Sequence, residues 1–164
     1  MKREEETTMK RWAALAVILL TMCTGAAVSE GRAVRFDDGF EFTLPSDWVQ
    51  LDVSEAMGEA GIVYAAASGD GRNTVQVSWS DLGERITAGQ VYEELAAVYS
   101  DTRIIEINDI AVVGFTDTGN DAAGFAMVDA AGTGLRVLFL APESDEAFVD
   151  TAVEIAMSIR YGAR

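Results

Sequence analysis

Phe40-Glu41-Phe42-Thr43-Leu44-Pro45-Ser46-Asp47-Trp48 is the stretch on which the fold turns. Its first five residues alternate apolar and polar, the period of a strand with one buried face, because successive side chains project to opposite sides of a sheet. Pro45 ends the alternation, having no N–H to give to a ladder. Just upstream, Asp38-Gly39 is a tight-turn pair that separates this run from a short apolar strand at 34–37, so the segment predicts a hairpin. Downstream, 48–53 predicts another strand, with Trp48 as a core or lid aromatic, and 54–61 a loop or helical turn.

Working outward, 62–67 and 74–79 flank Ser68-Gly69-Asp70-Gly71-Arg72-Asn73, a connection rich in glycine and aspartate that reads as a hairpin. In the second strand Val75, Val77 and Trp79 share one face; Gln76, Ser78 and Ser80 share the other. Thr87 followed by Gln90 is a capping box, in which side chains at both ends satisfy orphan amides, and it opens a helix over 88–100. Val91, Leu95 and Val98, beside Tyr92, Ala96 and Tyr99, predict a broad apolar face that needs a sheet beneath it. Four strands follow, at 103–107, 110–116, 123–129 and 135–141, with connections so short that neighbours must be antiparallel. In the last, Leu135, Val137 and Phe139 fill one face while Leu138 and Leu140 fill much of the other, the signature of a central strand covered on both sides. After Pro142, Ser144 is expected to cap a final helix, with Asp145 and Glu146 at its positive end and Phe148, Val153, Ile155 and Ile159 on its apolar arc. The expected class is α+β, a mostly antiparallel β-sheet flanked by helices.

The aromatic alternation running into Pro45-Ser46-Asp47-Trp48 resembles the opening strand of the PsbP-like family. That fold is shared by the photosystem II extrinsic protein, a Ran-binding nuclear import factor and many small exported bacterial proteins of unknown role. The order of elements from there to the C-terminal helix is also similar. The resemblance implies an α/β/α sandwich around a mostly antiparallel sheet. It implies no catalytic residues, because these relatives bind different partners. Bacterial relatives are often lipoproteins.

Lys10 and Arg11 precede the apolar run WAALAVILLTM at 12–22, followed by the small residues of CTGAAVS, the charged, hydrophobic and small-residue order of a secretory signal. The apolar core is too short to span a bilayer comfortably. Gly25 and Ala27 suit a cleavage after Ala27, so residues 1–27 are read as a signal peptide and 28–164 as a single exported PsbP-like domain. Two alternatives stay open. Leu20-Thr21-Met22-Cys23 resembles a lipoprotein box with Cys23 as the lipidation residue, although Met22 is larger than the residue such boxes carry there. The segment could otherwise persist as an uncleaved anchor. Each route places the domain outside the cytoplasmic membrane, secreted or tethered to the cell envelope, with membrane contact only through the N-terminal segment.

Both lysines, Lys2 and Lys10, and the sole cysteine belong to that leader. Beyond it, eight arginines face 24 carboxylates, a net charge of −16. A field of that sign repels nucleic acid and anionic lipid. The absence of histidine from the chain removes imidazole bases and histidine-held zinc or iron sites. With no thiol or lysine in the domain, thiolate and Schiff-base chemistry go too. No cofactor and no catalytic residue is expected.

Calcium is the one metal that suits an oxygen-only ligand set, and Asp117-Thr118-Gly119-Asn120-Asp121 is the best local match. It lacks an oxygen ligand at Gly119 and has Ala122 where the calcium loop needs glycine, so a hairpin turn is the preferred reading. Gly69-Asp70-Gly71 is read the same way, and Met127 and Met157 are read as core filler rather than copper ligands. The expected function is a non-enzymatic interaction or ligand-binding module, presenting loops or an exposed sheet face with Gln76, Ser78 and Arg136 to an envelope or extracellular protein, carbohydrate or small ligand. A carboxylate-dependent hydrolase of the cell envelope is the alternative, and it requires a pocket holding two carboxylates, one with a raised pKa. A weakly cation-buffering surface is a third reading.

Overall fold

Phe40, Phe42 and Leu44 are each no more than 1% exposed, and the polar residues between them are half-buried. In this computed structural model, which describes residues 31–162, they lie on strand β2 (Phe40–Pro45), paired antiparallel with β1 (Gly31–Arg35). The segment read as a signal peptide, 1–27 with Cys23, lies outside the described residues. Gly39 turns the hairpin at φ +88°, a conformation that costs glycine little, and its N–H donates to the Phe36 carbonyl at 3.0 Å. A two-residue strand after the last helix, β10 (Arg160–Tyr161), pairs with the other edge of β2. Its brevity leaves no period to read in the sequence.

The second sheet has seven strands in the order β3-β4-β5-β9-β8-β7-β6, all antiparallel. They are β3 (Val49–Leu51), β4 (Ile62–Ala67), β5 (Thr74–Asp81), β6 (Ser100–Ile107), β7 (Ile110–Asp117), β8 (Ala122–Val128) and β9 (Gly134–Ala141). The meander from β6 to β9 folds back so that β9 closes against β5 and becomes the middle strand of seven. The apolar content on both faces of 135–141 predicts that central position.

Register decides what each face carries, since directly opposed residues share a face. Val75, Val77, Phe125, Met127, Leu138 and Leu140 point one way, toward the β1-β2-β10 sheet and α3 (Val149–Met157). On the other face Val113, Phe115, Ala126 and Val137 meet Val91 of α2 (Ala88–Ala96). The small helix α1 (Glu55–Glu59) is capped by Ser54. The result is an α+β architecture of two antiparallel sheets and helices, as the patterning predicts. Burial of each large apolar side chain stabilises it by about 1.5–3 kcal/mol as an upper estimate.

Local expectations fare unevenly. The capping box of α2 forms as expected, with Gln90 N–H donating to Thr87 Oγ1 and Thr87 N–H to Gln90 Oε1. The helix, however, stops at Ala96, and Val98 is 75% exposed, because the chain must already turn to enter β6 at Ser100. Ser144 does not cap the last helix. Its N–H and hydroxyl both donate to Asp121, and α3 begins after Phe148 with no side-chain cap. Met127 is core, whereas Met157 is 37% exposed at the end of α3.

Candidate functional site

Arg136 is the one arginine among the described residues whose side chain is fully removed from solvent, at 5% exposure. The cause is register. On β9 it sits opposite Trp79 of β5 and Met127 of β8, on the face covered by the β1–β2 hairpin. Gln76 and Ser78 pair with Phe139 and Val137 and therefore lie on the opposite face. The expected exposed patch of Gln76, Ser78 and Arg136 does not exist. Residues on different strands share a face only as the register sets it, and Arg136 opposes Trp79, one residue beyond Ser78.

The hairpin turn supplies what a buried guanidinium needs. Arg136 Nη2 donates to Asp38 Oδ2 at 2.8 Å, and the cation lies 4.5 Å from the Phe36 ring centroid and 4.8 Å from that of Phe40. Both rings offer their negative π-faces to the charge. Its Nε and Nη1 are buried and have no hydrogen-bond partner. Nearby, the Tyr161 hydroxyl donates to the Val128 carbonyl at 3.4 Å. Burial, then the charge of Asp38, pushes its pKa up to about 12, so it stays neutral.

Beside this cluster opens a cleft of about 300 Å³, lined by Phe36, Asp37, Asp38, Val63, Trp79, Asp129 and Arg136. Trp79 is 37% exposed, and its indole nitrogen and the Asp129 carboxylate both approach Gly134. A Cβ on Gly134 would collide with the Asp129 carboxylate and come within 2.7 Å of the indole nitrogen. Burial acts to raise the Asp129 pKa, but amide donors from Gly134, Thr133 and Gly132 and the indole of Trp79 outweigh it and hold the group below the usual carboxylate range. Asp129 is therefore an ionised acceptor rather than a proton donor at neutral pH.

The residues doubted as calcium ligands behave as turns. Asp117 accepts from the amides of Gly119 and Asn120 and from the Asn120 side chain, and Asp70 accepts from Ser68 and Arg72. Among the described residues no group of three or more acidic or cysteine side chains is placed to hold a metal. None of Asp38, Phe36 or Asp129 is marked by a sequence motif. The available signal was Arg136 itself, a lone charge inside the apolar run Gly134-Leu135-Arg136-Val137-Leu138-Phe139-Leu140.

No protein-family model matches the chain, and no curated protein matches it in sequence. Solved structures do resemble it in shape. The solution structure of cyanobacterial PsbP (CyanoP) from Synechocystis sp. PCC 6803 superposes with a TM-score of 0.58 at 15% identity, covering 87% of this chain and 98% of that one. A protein of Bacteroides thetaiotaomicron VPI-5482 gives 0.54 at 14% identity over 82% of this chain, which spans 50% of that longer one. At such identities the likeness speaks for architecture alone, and it agrees with the two-sheet topology and its helices: the chain has the PsbP-like fold.

Proposed function

We propose that the domain is an exported, non-enzymatic binding module whose ligand-facing surface is the cleft between the β1–β2 turn and the end of the large sheet where β5, β8 and β9 carry Trp79, Asp129 and Arg136. The observation that carries this reading is the exposed indole of Trp79, set in the cleft beside the carboxylates of Asp37, Asp38 and Asp129. Fixed aromatic surface with a few convergent polar groups is how small-ligand sites are built. The hydrolase alternative needs a carboxylic acid held protonated by burial. The carboxyls of Glu41, Asp70 and Asp129 are all held below the usual range by the donors around them, which favours the binding reading.

A thermal-shift screen of small molecules against the wild type and Trp79→Ala tests the reading. Compounds that stabilise only the wild type support it; turnover of a glycosidic or ester substrate, abolished by an Asp→Asn change in the cleft, would overturn it. Export is supported by the charged, apolar and small-residue order at 1–27. Mass spectrometry of the mature chain should find Val28 at the N-terminus. A lipid-modified Cys23 there would instead show an anchored protein.

A further inference from the structure

We infer that the outer edge of β6 receives an extended, basic segment of a partner protein, which adds to the large sheet as an eighth strand. This surface is distinct from the cleft and does not depend on it.

Backbone geometry supplies the site. β6 ends the seven-stranded order, so within its sheet it pairs with β7 alone. Asn108 and Asp109, at φ +48° and +64°, form a two-residue turn that sets Ile107 opposite Ile110. The pair flanking such a turn exchanges both of its backbone hydrogen bonds, and pairs of that kind alternate along an antiparallel ladder. Ile105 and Arg103 therefore bond to Val112 and Gly114, while the N–H and C=O groups of Ile104 and Glu106 point away from β7. No backbone bond from a turn, loop or other element among the described residues reaches them. An open edge of this kind is what an added strand pairs with. The other free edges suit a basic strand less: β3 offers three residues, and β1 carries Arg32 and Arg35.

Side chains select the occupant. Ile104 and Glu106 project to the same face of the sheet, and both are exposed, Ile104 by 50%. The Glu106 carboxylate forms no ion pair among the described residues. An incoming strand places two residues, spaced i and i+2, directly opposite these positions. An apolar side chain matches Ile104, and a cation matches Glu106. Asp101 and Asp109 stand at the two ends of the edge, whereas Arg103 projects to the opposite face. The net charge of −16 from residue 28 onward draws a basic segment in. A second copy of β6 lacks the match. In antiparallel register Glu106 would oppose Thr102, Ile104 or Glu106 of that copy, never a cation, and two strongly acidic domains would be forced together.

The test uses a capped heptapeptide, Thr-Lys-Thr-Val-Thr-Lys-Thr, whose lysines and valine share one strand face. Its controls are the same peptide with glutamate for lysine and a copy N-methylated at lysine and valine, which keeps the charge but loses the donors that would face β6. Amide NMR should show saturable binding of the lysine peptide and slowed hydrogen exchange at Ile104 and Glu106, with neither control binding. Glu106→Lys should weaken binding tenfold or more. Ile104→Pro removes an N–H that the β6–β7 ladder does not use and should abolish binding. Glu106 is exposed, so its variant keeps the test decisive if the proline variant does not fold. Trp79→Ala should leave the affinity unchanged; loss of binding there would place the peptide in the cleft and overturn the inference. No binding, or equal binding of the N-methylated peptide or to the Glu106→Lys variant, would also overturn it while leaving the cleft reading intact. A dimer in sedimentation that Ile104→Pro disperses would assign the edge to a second copy instead.

Discussion

Arg136 shows how one residue ties the two sheets together. Its guanidinium is anchored on β9, yet its partners, Phe36, Asp38 and Phe40, all belong to the hairpin layer. Arg136→Ala should cost about 3 kcal/mol, because the cavity and the abandoned Asp38 carboxylate add to the lost contacts. Arg136→Met should cost less, since it refills the space. Urea denaturation of the two variants checks this, and equal stabilities of wild type and alanine variant would contradict the coupling. Tyr161 gives a second residue-scale expectation. With its pKa raised to about 12 from an ordinary value near 10, the folded state holds the phenolic proton more tightly than the unfolded chain does. The stabilisation is complete below pH ~10 and is lost as pH climbs through that interval to about 12. Alkaline urea melts should therefore show a steeper loss of stability in the wild type than in Tyr161→Phe. Tyr161 was not legible as a site in the sequence, and Arg136 was legible only as an expected surface residue. Arg136 was visible as a charge in an apolar strand, but its face depends on a register with β5 set more than 50 residues away in the chain.

At the scale of elements, what was readable followed from local chemistry. The β2 alternation, the two hairpins and the capping box of α2 each satisfy their backbone groups within a few residues, so their signals are complete in the sequence. Thr87→Ala removes an N-cap oxygen and should destabilise the domain by about 1 kcal/mol, with Thr87→Ser close to wild type, as thermal melts will report. The helix termini that were misread depend on distant partners. Ser144 resembles a cap by type and position, but Asp121, held at φ +49° at the β7–β8 turn, claims both its N–H and its hydroxyl. Val98 fits the helical stripe by spacing, yet the chain leaves the helix before reaching it.

For the whole molecule, the dominant quantity is charge. Eight arginines against 24 carboxylates from residue 28 onward leave a surface that repels itself. Ion pairs offset little of this; Glu41 bonded to both Arg35 and Arg160 is an exposed network of the kind that contributes modestly. The melting temperature at neutral pH should thus rise with added sodium chloride and level off above ~0.1 M, where the screening length falls to about 10 Å. A melting temperature that drops with salt would mean that the ion pairs outweigh the repulsion. Composition and the strand and helix periods were determined by the sequence itself, because charge, hydropathy and local hydrogen bonding are properties of neighbours along the chain. So was the class of chemistry removed with histidine, lysine and thiol. Only the tertiary structure decided that β9 pairs with β5, that Arg136 is buried under Phe36 and bound to Asp38, and that Trp79 and Asp129 meet over Gly134. Those contacts join segments far apart in sequence, and they form because burying both faces of a central strand fixes a register that no local pattern encodes.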